Sequence, residues 1–149
     1  MSEQAESDVV RIYAEVDSLV AEHSHDCQAR TTCCHFLQTG KAPMLTAGEA
    51  LVAARAVRAS GRKKLPASTD PKSGRCPLLG KDDACTIYAS RPLGCRTHFC
   101  SAAGGPLPRR ILQHLIRRLE AIAESLGDTD PRAIGPALSS ALDLIGRKR

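Results

Sequence analysis

The stretch Cys76-Pro-Leu-Leu-Gly-Lys-Asp-Asp-Ala-Cys85-Thr-Ile-Tyr-Ala-Ser-Arg-Pro-Leu-Gly-Cys95-Arg-Thr-His-Phe-Cys100 places four thiols within 25 residues. Three more, Cys27, Cys33 and Cys34, form a second group, and residues 35–75 between the groups carry none. Packing alone does not call for cysteine in this pattern. Metal chelation, disulfide stapling and thiol redox chemistry are the physical options. A total of seven is odd, which fits poorly with complete disulfide pairing.

The compartment narrows the choice. Residues 1–8 are polar and acidic, with neither the basic start nor the apolar run of a secretory signal. No apolar run approaches the ~20 residues that span a bilayer. The chain as given reads as cytoplasmic and independent of membranes, where thiols stay reduced and structural disulfides are rare. Metal is therefore the leading reading. Thiolate is a soft donor that suits zinc and iron–sulfur clusters, and four such donors suit tetrahedral geometry.

Spacing adds moderate specificity. The gaps are Cys27-x5-Cys33, adjacent Cys33-Cys34, Cys76-x8-Cys85, Cys85-x9-Cys95 and Cys95-x4-Cys100. None is the Cys-x2-Cys of a zinc ribbon or a common ferredoxin pattern. Adjacent Cys33 and Cys34 point to opposite sides of an extended backbone and can serve different ions. Cysteines distant in sequence converge when loops fold together, so the two groups can close one site.

A length of 149 residues fits one domain over 1–149, with ordinary hydrophobic (42%) and charged (25%) content. Aromatics are scarce: Tyr13, Phe36, Tyr88 and Phe99 are all of them. The core must rest on aliphatic side chains, and a bound metal would add stability. The net charge of +5 is uneven: residues 1–26 hold seven acids against Arg11, and the remainder is strongly basic. Such asymmetry fits nucleic-acid binding, but the few aromatics make a poor stacking platform.

Periodicity marks the helices. Val9, Ile12, Tyr13, Val16, Leu19 and Val20 repeat at 3–4 spacing and predict an amphipathic helix over 5–22. Residues 27–41 read as a cysteine-bearing loop. Thr46-Ala-Gly-Glu49 is a capping box that predicts a helix from Ala47 to Ala59, stopped by Ser60-Gly61. The basic 62–75 stretch reads as an exposed loop. A short hairpin is expected between 76–79 and 84–88, and Ser90-Arg91-Pro92 as a helix start with Ser90 as cap. Residues 101–108 read as a turn-rich link. Ile111, Leu112, Leu115, Ile116, Leu119, Ile122 and Leu126 predict the clearest amphipathic helix. A last helix is expected from the Asp130-Pro131 cap to near Gly146, with Leu138, Leu142 and Ile145 inward.

At this point the residues resemble a known family. Cys27-x5-Cys33-Cys34, Leu45-Thr46-x2-Glu49, Cys76-Pro77-Leu78 and Cys85-x-Ile87-Tyr88-x2-Arg91-Pro92-x2-Cys95-Arg96-x2-Phe99-Cys100 look like the YkgJ-type cysteine-cluster proteins, known for a zinc- or iron-chelating domain. The resemblance covers about residues 27–100 and implies a metal or iron–sulfur centre with no settled reaction. The family's first motif reads Cys-x2-Cys-x2-Cys-Cys, and Arg30 stands where its second cysteine is expected. Seven thiols remain. Either one centre lacks a thiolate, or His35, His98 or water takes the place.

The reading is thus a mainly α fold: a small helical domain with a short β-hairpin and cysteine-rich loops around a metal centre. Residues 27–100 form its metal-chelating core and 108–146 a C-terminal helical pair. The candidate ligands are Cys27, Cys33, Cys34, Cys76, Cys85, Cys95 and Cys100, holding an iron–sulfur cluster or zinc in an accessory or electron-transfer role toward an unidentified protein partner. One alternative is a thiol-based oxidoreductase in which Cys33 or Cys34 reacts directly. Another is a structural zinc domain docking nucleic acid or an acidic protein through Arg91, Arg96 and the 62–75 loop, where salt bridges from the two arginines to Asp82 or Asp83 are the plain competing role. His35 and His98 border cysteines, His23 and His25 mark a solvated helix end, and His114 lies on a helix surface. No phosphate loop, His-Glu-x2-His or serine elbow is present.

Overall fold

The computed structural model describes residues 2–22, 43–62, 76–80, 85–97 and 108–147. It is mainly helical, with one small antiparallel sheet among these residues. In chain order the elements are α1 (Ser2–Glu22), β1 (Met44–Leu45), α2 (Ala47–Ala59), a 3-10 turn (Tyr88–Ser90), α3 (Leu93–Thr97), α4 (Arg109–Ser125), β2 (Arg132–Ala133) and α5 (Ile134–Arg147).

Helix α2 is the hub. Gly48 to Ala54 and Val57 are all buried, because α1, α4 and α5 each pack against it. Its alanines are small enough to let three neighbours approach. On one side Ala50, Leu51, Ala53, Ala54 and Val57 meet Ile134, Leu138, Leu142 and Ile145 of α5, together with Cys76, Leu78, Leu79 and Ile87. On the other, Val52 joins Val9, Ile12, Tyr13 and Val16 of α1 and Leu112, Leu115 and Leu119 of α4. These are the apolar stripes expected from the 3–4 spacing.

The ends follow backbone chemistry. Thr46 and Glu49 form the expected capping box at the start of α2. At its end Gly61 takes φ of +93°, while Gly61 N donates to Arg58 O (2.9 Å) and Arg62 N to Val57 O (3.3 Å). That pair of bonds is a Schellman stop, which favours glycine because it lacks a Cβ. Helix α4 ends the same way at Gly127, whose φ is +78°.

Three local expectations shift. Among the described residues of the expected hairpin, 76–79 and 85–88, one antiparallel bridge forms, Leu79 to Cys85, reinforced by Thr86 N and Oγ1 donating to Leu78 O. The sheet instead pairs Met44 with Ala133 and Leu45 with Arg132. This pairing holds 132–133 extended, so α5 begins at Ile134 and not at the Asp130-Pro131 cap; Pro136 then sits in its first turn, where a missing amide costs little. Ser90 belongs to the 3-10 turn and is not a cap. The carbonyl of Pro92 opens α3, accepting from Cys95 N and Arg96 N at 3.0 Å each. The 27–41 loop, residues 63–75 and the 101–107 link lie outside the described residues.

Gly48 marks the closest approach of the hub. A Cβ there would stand 2.9 Å from both Ile122 Cγ2 and Val9 Cγ2. Overpacking costs about 1–3 kcal/mol, and in a first turn the helix-propensity gain is less than the ~1 kcal/mol of an interior site. Gly48→Ala is therefore expected to lower the denaturant midpoint; a raised midpoint would contradict this packing.

Candidate metal centre

Of the seven candidate ligands, three fall among the described residues. Cys76 is buried among Leu78, Leu79 and Ile87 in the α2–α5 core. Cys85 faces Leu79 across the bridge, half-buried against the same cluster. Cys95 is half-buried as the third residue of α3 and lies near the Tyr13 phenol. Cys27, Cys33, Cys34 and Cys100 lie outside the described residues, as do Arg30, His23, His25, His35 and His98. His114 is exposed on α4, as expected.

The donor set is soft and sulfur-rich, which fits zinc or iron. Among the described residues, however, no three His, Cys, Asp or Glu side chains gather where they could hold a metal ion. A centre with four protein ligands that includes described cysteines must therefore draw at least two ligands from the remaining segments.

The described part contributes a fixed support. Among the described residues the buried polar or charged side chains are Glu49, Arg96 and Thr97. All three lie on α3 or bind it. Glu49 Oε2 accepts from Thr46 N (3.0 Å) and Thr46 Oγ1 (3.1 Å), and Oε1 accepts from Leu93 N (2.8 Å) and the Tyr13 hydroxyl (3.4 Å). One carboxylate thus caps α2, takes the first amide of α3 and touches α1.

Arg96 holds the other end. Its Nε donates to Arg91 O (2.6 Å), its Nη2 to Ala89 O, and its Nη1 to both Asp17 carboxylate oxygens (3.1 and 3.0 Å). The guanidinium carbon lies 4.3 Å from the Tyr13 ring centroid, a cation–π contact. Arg96 is thus engaged by Asp17, 79 residues away, and buried. That burial leaves little of it to offer an acidic partner; Asp82 and Asp83, the other partners considered, lie outside the described residues. Arg91 stacks on Tyr88 at 3.8 Å and donates from Nε to Tyr88 O. Thr97 Oγ1 donates to Leu93 O (2.9 Å) inside α3. From the sequence, Glu49 is a cap and a residue of the resembled motif and Tyr13 a core residue; their spacing carries no sign of the link to α3.

Burial raises the Glu49 carboxyl above its ordinary 4.5, against the hydrogen bonds that favour its charged form. Burial likewise pushes the Tyr13 phenol well above 10.0, with the Glu49 carboxylate adding and the Arg96 guanidinium opposing. A raised folded pKa means that stability is complete below the unfolded value and lost as pH rises through the folded one. For Tyr13 that loss begins near pH 10. The unfolding free-energy difference between wild type and Tyr13→Phe is expected to stay level up to about pH 10 and to shrink above it. A difference that stays level beyond pH 11 (roughly a unit above the unfolded value) would contradict the burial of this hydroxyl.

Comparison with known proteins bears on the whole arrangement. No curated protein and no solved structure matches the chain. A family model does, over residues 21–118 and thus more than half of the 149 residues. The matched range includes Cys27, Cys33 and Cys34, which have the spacing of a Cys-x2-Cys-x2-Cys-Cys run with Arg30 at its second position. The chain belongs to this CxxCxxCC family, described as a putative zinc- or iron-chelating domain.

Proposed function

We propose that this chain is a metal-binding protein whose centre is ligated by cysteines from both groups, drawn from Cys27, Cys33, Cys34, Cys76, Cys85, Cys95 and Cys100. Residues 27–100 are then its chelating core, carried by the helices at either end of a single domain. The observation that carries this reading is the family match over both cysteine groups. The support around Cys95 agrees with it, since a ligand must be held in place to be useful. Seven thiols exceed the four of a single zinc site, which favours an iron–sulfur cluster with satellite cysteines over zinc. The role is accessory or electron-transfer, toward a protein partner. When bound, the group supplies electron transfer if it is a cluster and structural cross-linking if it is zinc.

Among the described residues no helix is long and apolar enough to cross a membrane. Arg96 is buried and engaged, so among these residues a docking surface of the kind expected keeps Arg91 and Arg62.

Purification without oxygen, followed by elemental analysis and an absorption spectrum, is expected to give iron with visible absorption for a cluster, or zinc without colour. Fully reduced thiols with neither metal would contradict the reading. Cys95→Ser is expected to lower metal content and thermal stability together. Unchanged metal content would remove Cys95 from the ligand set.

A further inference from the structure

Helix α3 has five residues, far fewer than the ~12–15 at which an isolated helix becomes even marginally stable. It carries Cys95 and is fixed from outside at two points. Leu93 N, its first amide, donates to Glu49 Oε1 at 2.8 Å. Glu49 is itself pinned by Thr46 N and Oγ1, so the start of α3 is tied to the start of α2. Arg96, the residue after Cys95, forks onto two carbonyls of its own approach segment and onto Asp17 of α1. Tyr13 joins the two ends, its hydroxyl on Glu49 and its ring under the Arg96 guanidinium.

Stability alone does not account for this arrangement. Replacing buried charges with well-packed apolar side chains is often neutral or stabilising. Yet both buried charged residues among the described ones hold this one short helix. Hydrogen bonds at both of its ends fix its direction, which apolar packing does less sharply.

We infer that Glu49, Tyr13 and Arg96 are positioning residues for Cys95, holding its helix in place before metal arrives. The inference rests on Cys95 being a ligand. In a metal site, outer groups that orient a ligand change affinity by roughly 10–100-fold when removed. Here they act through the backbone of α3, not through the sulfur.

The test uses the full chain, reduced and metal-free, with zinc ion alone as the probe in competition with a chromophoric chelator. Glu49→Gln and Arg96→Lys are compared with Gly127→Ala, which strains the left-handed stop of α4 (φ +78°) and lies outside both core clusters and α3. Circular dichroism selects a temperature at which each protein is folded. Zinc affinity is expected to fall about tenfold or more in Glu49→Gln and Arg96→Lys, and the α3 amides of the metal-free variants to exchange faster. Gly127→Ala should lower the melting temperature and leave zinc affinity within twofold (roughly 0.4 kcal/mol). Should Glu49→Gln fail to fold, Arg96→Lys carries the comparison alone. Wild-type affinity in the folded positioning variants, or an equal loss in Gly127→Ala, overturns the positioning role while leaving the metal reading intact. A wild type that takes up no zinc and purifies without iron overturns both.

Discussion

A carboxylate taken out of water is stable in a protein only when donors replace the water, and Glu49 meets that demand by joining three parts of the chain. Without Thr46 its helix lacks a cap. Without Leu93 the short helix of Cys95 loses its anchor to α2. Hydrogen bonds to charged groups contribute roughly 1.5–3 kcal/mol each in proteins, while an uncompensated buried charge costs several. The network therefore works as a unit, and loss of any one donor leaves the carboxylate exposed to the cost of its own burial.

Charge also organises the exterior. The acidic α1 is met by arginines from three other elements: Arg55 pairs with Glu6, Arg96 with Asp17 and Arg118 with Glu15. The uneven charge along the sequence thus has a structural use, since an acidic first helix lies against a basic remainder. The Arg55–Glu6 and Arg118–Glu15 pairs, with their arginines exposed, contribute only about 0–1 kcal/mol each. They orient α1 more than they stabilise it, and the aliphatic cores on either side of α2 supply the main driving force.

Much of the helical framework was legible because its signals are local. The Thr46/Glu49 cap, the Ser60-Gly61 stop and the apolar repeats of α1 and α4 are each written within a few residues of where they act. The sheet was not, since each strand has two residues and their pairing joins positions some ninety residues apart. The start of α5 was misplaced for the same reason: a distant partner, not a local cap, holds Arg132 and Ala133 extended. Arg96 shows the reach of the fold, because its carboxylate partner Asp17 lies 79 residues away in sequence. At the candidate centre a metal-chelating role was legible in the cysteine pattern, and the family match agrees with it. The support behind Cys95 was not, because Glu49 and Tyr13 reach it only through the tertiary fold.

On the proposed reading, metal chemistry and helical scaffold meet at α3, where a thiol sits on an element too short to stand by itself and is secured by charged side chains. The account stands or falls on sulfur being what holds the ion. X-ray absorption at the metal edge of protein isolated without oxygen addresses this directly. A first shell dominated by sulfur, at about 2.3 Å if the ion is zinc, is the predicted result. A shell of nitrogen and oxygen alone, near 2.0–2.1 Å for zinc, would contradict it.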